Sequence, residues 1–530
     1  MSADAALGWP CPTADEMRAI DRDAIQKRGI PGRLLMETAG RAVARAIRRE
    51  HPGLRRPLVL CGSGNNGGDG LVVARALQEG AADMRPRVVG FGDPARRSPE
   101  TAANTVLWTQ AGGELLQAPA LDDLKTLLAD SDAVVDALFG VGLARPVEGD
   151  LAQAVEAVNA SRLPCIAVDV PSGLCSDTGR ELGVAIRPTL VVTLGLPKLG
   201  LALRSLGAPV WVADIGLPDA SVQGQVVRQE WVRPEAVARR LPARSLEGHK
   251  GRFGHVLVVA GSEGKSGAAA LAARGALRAG AGLVTLACPR AVLPVLALQV
   301  TEAMTLPIGE ADLPSFVGGE TLERLVAEAA LRDVVVVGPG IGTAAETTRC
   351  IRDLLRRSDR PAVVDADGLN AFGADLEALA HRAPRVLTPH PGEAARLLGC
   401  AAAEIQRDRA AAARLLARRS GAVVVLKGAR SVIADPDGRL WINPSGGPGL
   451  ASGGTGDVLA GVIGGLLAQG ILARDAAIVG TYLHGRAGEA RPVGLLAREV
   501  ADGIPVVWQE LRAASSSAHD DASLVRLPGS

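Results

Sequence analysis

Aromatic side chains make up only 2% of the 530 residues, and tyrosine occurs once. The cores of this chain must therefore be built from alanine, valine and leucine. A charge excess is also missing: the formal net charge is +1 and no block of like charge stands out, which excludes nucleic acid and anionic membrane surfaces as obvious partners. The seven cysteines (11, 61, 165, 175, 288, 350 and 400) lie far apart and form no CxxC. An odd, scattered set points to reduced thiols and a cytoplasmic protein. There is no HExxH and no Cys/His cluster, so zinc is not indicated. The longest apolar run, "VLAGVIGGLLAQGILA" (458–473), is short of a membrane span and rich in glycine, as expected of a buried helix. The N-terminus, "MSADAALGWPCPTADEMRAIDRD", has no basic segment followed by an apolar one, so no signal peptide is read there. Lysine is scarce too. Six (27, 125, 198, 250, 265 and 427) stand among 58 basic residues, and four adjoin glycine turns, as sites needing a compact ammonium would.

At this length more than one hydrophobic core is expected. The first half alternates apolar strands (57–62, 85–92, 133–140, 164–173, 190–195, 209–216) with helical patterns such as 33–50, 69–80 and 149–160. That alternation predicts an α/β fold with a parallel sheet covered on both faces. The period fades over 217–248, apart from a short helix near 234–241, and the alternation then restarts with strands at 254–261, 282–288, 333–340, 361–369, 384–390 and 421–428. A hairpin spans 431–443, and helix 456–469 follows a long glycine loop. The expected domains are 1–225 and 226–512, with a disordered tail at 513–530.

In "VLCGSGNNGGDGLVVARAL" (59–77), Gly62, Gly64 and Gly67 match GxGxxG between strand and helix. Asp69, however, stands where a pyrophosphate would be repelled, and the next acidic strand end comes only at Asp93, late for a dinucleotide fold. A carboxylate with amide oxygens suits a cation or a sugar hydroxyl better. "DALFGVG" ends a strand with Asp136, and "VDVPSG" ends another with Asp169 and Ser172. Parallel strands bring these ends to one edge, where Asn66, Asp136 and Ser172 offer oxygen ligands for a hard cation. The competing reading makes Asp136 and Asp169 turn or helix caps.

In the second half, "NPSGGPGLASGGTGDVLAG" (443–461) places Gly453, Gly454 and Gly456 at the start of an apolar helix. Such a nest binds an anion, and Asp457, just behind it, is positioned to take a proton from a hydroxyl. The alternative is a first-turn aspartate favoured by the helix dipole. Strand ends at "GPGIG" (338–342), "DADGL" (365–369), "VLTPHPGE" (386–393) and "VVVLKGARS" (423–431) supply further polar groups, and 261–285 gives a helix of small residues open to close approach.

Together, "GSGNNGGDGLVVAR", "DALFGVG", "VDVPSG" and "LGLPKLG" resemble the epimerase half of the NAD(P)H-hydrate repair enzymes over residues 12–218. Residues 230–512 resemble the ribokinase-like dehydratase of the same family. The resemblance implies a Rossmann-like three-layer domain that interconverts the R and S epimers of hydrated NADH and NADPH. A ribokinase-like α/β domain would follow, which spends ADP to dehydrate the S form. In the first domain, Asn65, Asn66, Gly67, Gly68, Asp69 and the loop Gly140, Val141, Gly142, Leu143, Ala144, Arg145 and Pro146 would contact the hydrate. Potassium would be held by Asn66, Asp136 and Ser172. Asp169 would touch the reacting ring and handle protons, and Lys198 is a weaker candidate beside a surface reading. In the second domain, Asp457 would be the general base. Ala268, Gly340, Gly342 and His390 would meet the hydrate, and Lys427, Gly428, Ala429, Arg430, Ser431 and Gly456 would meet ADP, with magnesium accompanying the nucleotide. A homo-oligomer is implied as well. Ser431 stands where the family pattern commonly has threonine, and Gly447 and Leu450 where it has asparagine and methionine. Two rivals remain: a phosphotransferase acting on a hydroxymethyl group, and an N-terminal half that only binds.

Overall fold

The computed structural model describes residues 8–80, 83–309, 316, 319–514 and 524–527. There are two compact units: among the described residues the first takes Trp9–Gln229 with 524–527, and the second takes Gly8 with 230–514. All seven cysteines are free thiols. Among the described residues no helix is long and apolar enough to cross a membrane. The run at 458–473 contributes to the helix Thr455–Ala468, whose residues from Val458 to Leu467 are buried.

In the first unit the strands lie in the order Leu524–Arg526, Val210–Ala213, Leu190–Leu194, Cys165–Val168, Ala133–Ala137, Pro57–Cys61, Arg87–Gly90 and Leu115–Gln117. All pairings are parallel except that of Leu524–Arg526 with Val210–Ala213. Strand alternation sends side chains to two cores. Val59 and Val135 join the helix Gly32–Glu50 on one face, while Leu58, Leu60 and Val134 meet Leu124, Leu128 and Val155 on the other. The order reverses between Pro57–Cys61 and Ala133–Ala137, the switch point at which strand ends open a crevice.

Several expectations are corrected. The helix after the glycine motif starts at Asn65, not at 69, so the NNGGD residues form its first turns rather than a preceding loop. Gly67 allows this: a Cβ there would lie 1.9 Å from the Gly62 carbonyl oxygen. The expected disordered tail contains the strand Leu524–Arg526, which buries Leu524 against the sheet edge, and residues 513–514 complete the helix Ala497–Ala514. The rest of that tail, 515–523 and 528–530, lies outside the described residues, as does the start of the segment read for a signal peptide.

The second sheet runs Gly8–Pro10, Gln229–Val232, Leu440–Ile442, Val432–Ala434, Val423–Leu426, Arg385–Leu387, Ala362–Val364, Val334–Val337, His255–Val259, Leu283–Pro289 and Met304–Ile308. Gln229–Val232 and Met304–Ile308 were not expected as strands, since neither alternates clearly. Val432–Ala434 and Leu440–Ile442 form the expected antiparallel hairpin. The helix Thr455–Ala468 packs against Ser266–Arg278. Their backbones approach so closely that a Cβ at Gly461 would lie 1.9 Å from the Ala272 oxygen, which fixes the orientation of the glycine nest.

Candidate active sites

At the first unit's switch point a cavity of 550 Å³ is lined by Asn65, Asn66, Asp69, Gly140, Val141, Gly142, Leu143 and Asp169, all anticipated from the sequence. Gly67 and Gly68 serve packing instead, Gly68 lying against the Met36 sulfur. Ala144, Arg145 and Pro146 are exposed and outside the lining.

Asp169 adopts a left-handed backbone, φ 67°, uncommon for a residue with a side chain. Its Oδ1 accepts from Leu194 N at 3.1 Å and Thr193 Oγ1 at 3.2 Å, and it lies 2.5 Å from Lys198 Nζ. The surface reading of Lys198 is overturned: its side chain is 1% exposed, and the ammonium also donates to the Leu194 carbonyl at 2.6 Å. Burial, reinforced by Asp169, pushes the Asp69 carboxyl well up from its ordinary value, against the pull of Lys198.

Asp136 is fully buried. Its carboxylate accepts from Ser172 Oγ at 2.6 Å, Ser172 N at 2.8 Å and Leu138 N at 3.3 Å, and burial pushes it up to about 6. The Asn66 carboxamide is directed at Gly140, and its Nδ2 is buried with no hydrogen-bond partner.

In the second unit Asp457 opens onto a 400 Å³ cavity shared with Gly454, Gly456, Lys427, Gly428, His390, Asp365 and Glu393. Gly454 is left-handed, φ 87°, and caps the helix, so the nest faces the cavity. Lys427 Nζ lies 2.8 Å from Asp365 Oδ1 and 3.8 Å from Glu393 Oε2. Burial opposes the Lys427 charge, but these carboxylates outweigh it and raise the ammonium above its ordinary value. Burial, then Asp365, pushes Asp457 up to about 7 despite Lys427. A carboxyl poised there suits general-base work near neutrality. His390 Nδ1 accepts from Gly392 N at 3.0 Å. In the neutral ring the proton is therefore on Nε2, 3.4 Å from Glu393 Oε1.

Ala268, Gly340 and Gly342 are not among the residues lining this cavity. A Cβ on Gly340 would come within 3.0 Å of Ala268 Cβ, and Gly342 N donates to Asp367 Oδ2 at 3.0 Å. Ala366, at φ 50°, turns the chain between Asp365, which serves Lys427, and Asp367, which lies 3.1 Å from Lys265 Nζ. The Arg430 side chain turns inward, donating to the Pro444 carbonyl at 2.8 Å and stacking over Trp231. Ser431 Oγ donates to the Gly428 carbonyl at 3.0 Å. Asp21, Asp365 and Glu393 escaped sequence reasoning as site residues; for the last two the signal was their own place within "DADGL" and "PHPGE".

The first site is a carboxylate-lined switch-point crevice, and in the second a carboxyl held up near neutrality stands behind a glycine turn at a helix start, an arrangement of the kind phosphoryl-transfer chemistry uses. Residues 256–497 match the family profile described as NAD(P)H-hydrate dehydratase, and residues 32–200 that described as YjeF-related protein N-terminus. The chain is 43% identical over 514 residues to the bifunctional NAD(P)H-hydrate repair enzyme of Moorella thermoacetica, covering 94% of this chain and 96% of that one. To the enzyme of the same description from Escherichia coli it is 35% identical over 480 residues, 90% and 88% covered. It is also similar to the solved ADP/ATP-dependent NAD(P)H-hydrate dehydratase of Bacillus subtilis (TM-score 0.46, 33% identity, 53% of this chain and 98% of that one). The chain belongs to the family of bifunctional NAD(P)H-hydrate repair enzymes.

Proposed function

We propose that this protein repairs hydrated nicotinamide cofactors in two steps. The first unit interconverts the R and S epimers of NAD(P)H hydrate. The second dehydrates the S form at the expense of ADP, giving AMP and phosphate. The observation that carries this reading is Asp457 behind the nest, sharing its cavity with Lys427 and His390.

In the second site Asp457 takes the proton of the C6 hydroxyl as that oxygen attacks the terminal phosphoryl group. The Gly454–Gly456 amides and Lys427 stabilise the phosphoryl charge. Phosphate then departs with its C6–O electron pair, a C5 proton is lost, and the ring double bond returns. Ala268, Gly340, Gly342 and His390 flank the hydrate, while Lys427, Gly428, Ala429, Ser431 and Gly456 face ADP, with Arg430 supporting their turn from the core. Magnesium would neutralise the nucleotide's phosphates. Among the described residues no cluster of three or more His, Cys, Asp or Glu can hold a metal ion, which fits an ion carried largely by phosphates and water.

In the first site the hydrate contacts Asn65, Asn66, Asp69 and the Gly140–Leu143 loop, with Asp169 at the reacting ring. Asp136, Asn66 and Ser172 would hold potassium. A fully buried carboxylate with only neutral donors fits an oxygen-ligated cation, which would supply a fixed positive charge to the site. Self-association into a homo-oligomer belongs to the same proposal and is read out by light scattering.

The test supplies racemic NADH hydrate with ADP, magnesium and potassium and follows absorbance of the reduced ring. Full recovery supports both units, and recovery of half sinks the epimerase. Accumulation of a phosphorylated product without regenerated NADH would make the second unit an ordinary phosphotransferase.

A further inference from the structure

The helix Ala14–Arg22 lies ahead of the matched profile, which begins at residue 32. Thr13 and Glu16 form a capping box at its start, and Met17 and Ile20 are buried, which fixes the helix phase. Met17 and Asp21, one turn apart, therefore share a side, and both line the 550 Å³ cavity with Arg18, Asp69, Glu100, Asp169 and Lys198. Asp169 is tied down by Lys198, Thr193 and Leu194. Asp21 has no hydrogen-bond or ion-pair partner among the described residues, although Lys198 and Asp169 both act on its charge. Of the four carboxyl groups lining the cavity, Asp169 is locked to a cation, while Asp21, Asp69 and Glu100 have no hydrogen-bond or ion-pair partner among the described residues; of these three, Asp21 stands on the helix that closes the cavity over Asp169 and Lys198. Burial pushes the Asp21 carboxyl up to about 6, with Lys198 lowering it and Asp169 raising it. Two acids in such unlike settings divide acid from base work.

We propose that Asp21 is a catalytic acid of the epimerase site, acting with Asp169 on the hydrated nicotinamide ring. The proposal rests on the epimerase reading above. C6 of the hydrate carries a hydroxyl and the ring nitrogen N1, so it is a carbinolamine carbon. Asp169 accepts the hydroxyl proton as the C6–N1 bond breaks and C6 becomes an aldehyde carbonyl. The bonding pair goes to N1, where it is conjugated with the ring carboxamide, and Asp21 delivers a proton to N1. The aldehyde rotates, N1 attacks its other face, and both protons return. Atoms and charge balance, and no oxidant or reductant is consumed.

The test compares wild type, Asp21→Asn and Asp21→Glu in the full chain, starting from the R epimer. Epimer exchange is followed by chromatography after subtraction of the spontaneous rate, with dehydration of the S form by the same preparation as a concentration standard. Asp21→Asn is expected to lower kcat for exchange by ~10²–10⁴-fold with KM little changed, and to abolish the fall in rate at alkaline pH. Asp21→Glu should restore part of the rate together with that fall. Thermal melts of each variant separate a folding defect from a chemical one. Exchange within about threefold of wild type in a folded Asp21→Asn, or an unaltered pH profile, overturns the role. Absent exchange in the wild type itself would instead remove the epimerase reading, and this proposal with it.

Discussion

The Lys427 ammonium lies 2.8 Å from the fully buried Asp365 carboxylate and faces the turn that carries Asp457. One cation thus stands among Asp365, Glu393 and Asp457, where an incoming nucleotide adds further negative charge. Replacing Lys427 by Met should weaken ADP binding by about 1.5–3 kcal/mol, the range of a charge-assisted hydrogen bond, or roughly tenfold to a hundredfold in Kd. Calorimetric titration checks it.

Asp457→Asn should bind ADP yet lose ~10²–10⁴-fold in turnover. In the wild type, kcat/KM for dehydration should rise with pH and level off above about 7, where Asp457 is ionised. Stability runs the other way. The folded state holds a proton there up to about 7 that the unfolded chain releases near 3.8, so ionised Asp457 destabilises the fold above 7 and not below 4. Thermal melts should show Asp457→Asn more stable than wild type at pH 8 and no gain at pH 4.

Lys198 and Asp169 form a buried pair, and breaking one side leaves an uncompensated charge. Lys198→Met should cost about 3–5 kcal/mol in urea unfolding of the first unit. Adding Asp169→Leu should recover much of that loss while leaving epimer exchange abolished.

Potassium should affect only the first activity. Replacing it with tetramethylammonium should slow epimer exchange and leave dehydration of the S form unchanged. Asp136→Asn should erase the difference between the two salts. Equal exchange rates in both salts with wild type would remove potassium from the site.

Gly67→Ala places a Cβ 1.9 Å from the Gly62 oxygen. Backbone must move, at about 1–3 kcal/mol for overpacking, and a lowered melting temperature should accompany weaker epimer exchange.

Much of this was legible along the chain because it is local. The GTGD nest, the NNGGD element and the apolar strands announce themselves within a few residues, through periodicity and turn chemistry. The start of the helix at Asn65 was not, because only close packing of Gly67 on Gly62 makes so many glycines helical there. Nor was the pairing of Leu524–Arg526 with Val210–Ala213, since a three-residue strand at a distant terminus has no local signature.

Sequence by itself determined the two α/β units, the family and the residue types at each strand end, since strand–helix alternation and glycine turns are short-range properties. Tertiary structure alone decided which of those ends meet and how they are charged. Lys198 became a buried partner of Asp169, Arg430 turned into the core, and Asp21 arrived in one cavity with Asp69, Glu100, Asp169 and Lys198, which stand 48 to 177 residues further along the chain. Burial and opposing charge depend on what surrounds a group in space, and chain order does not encode that locally.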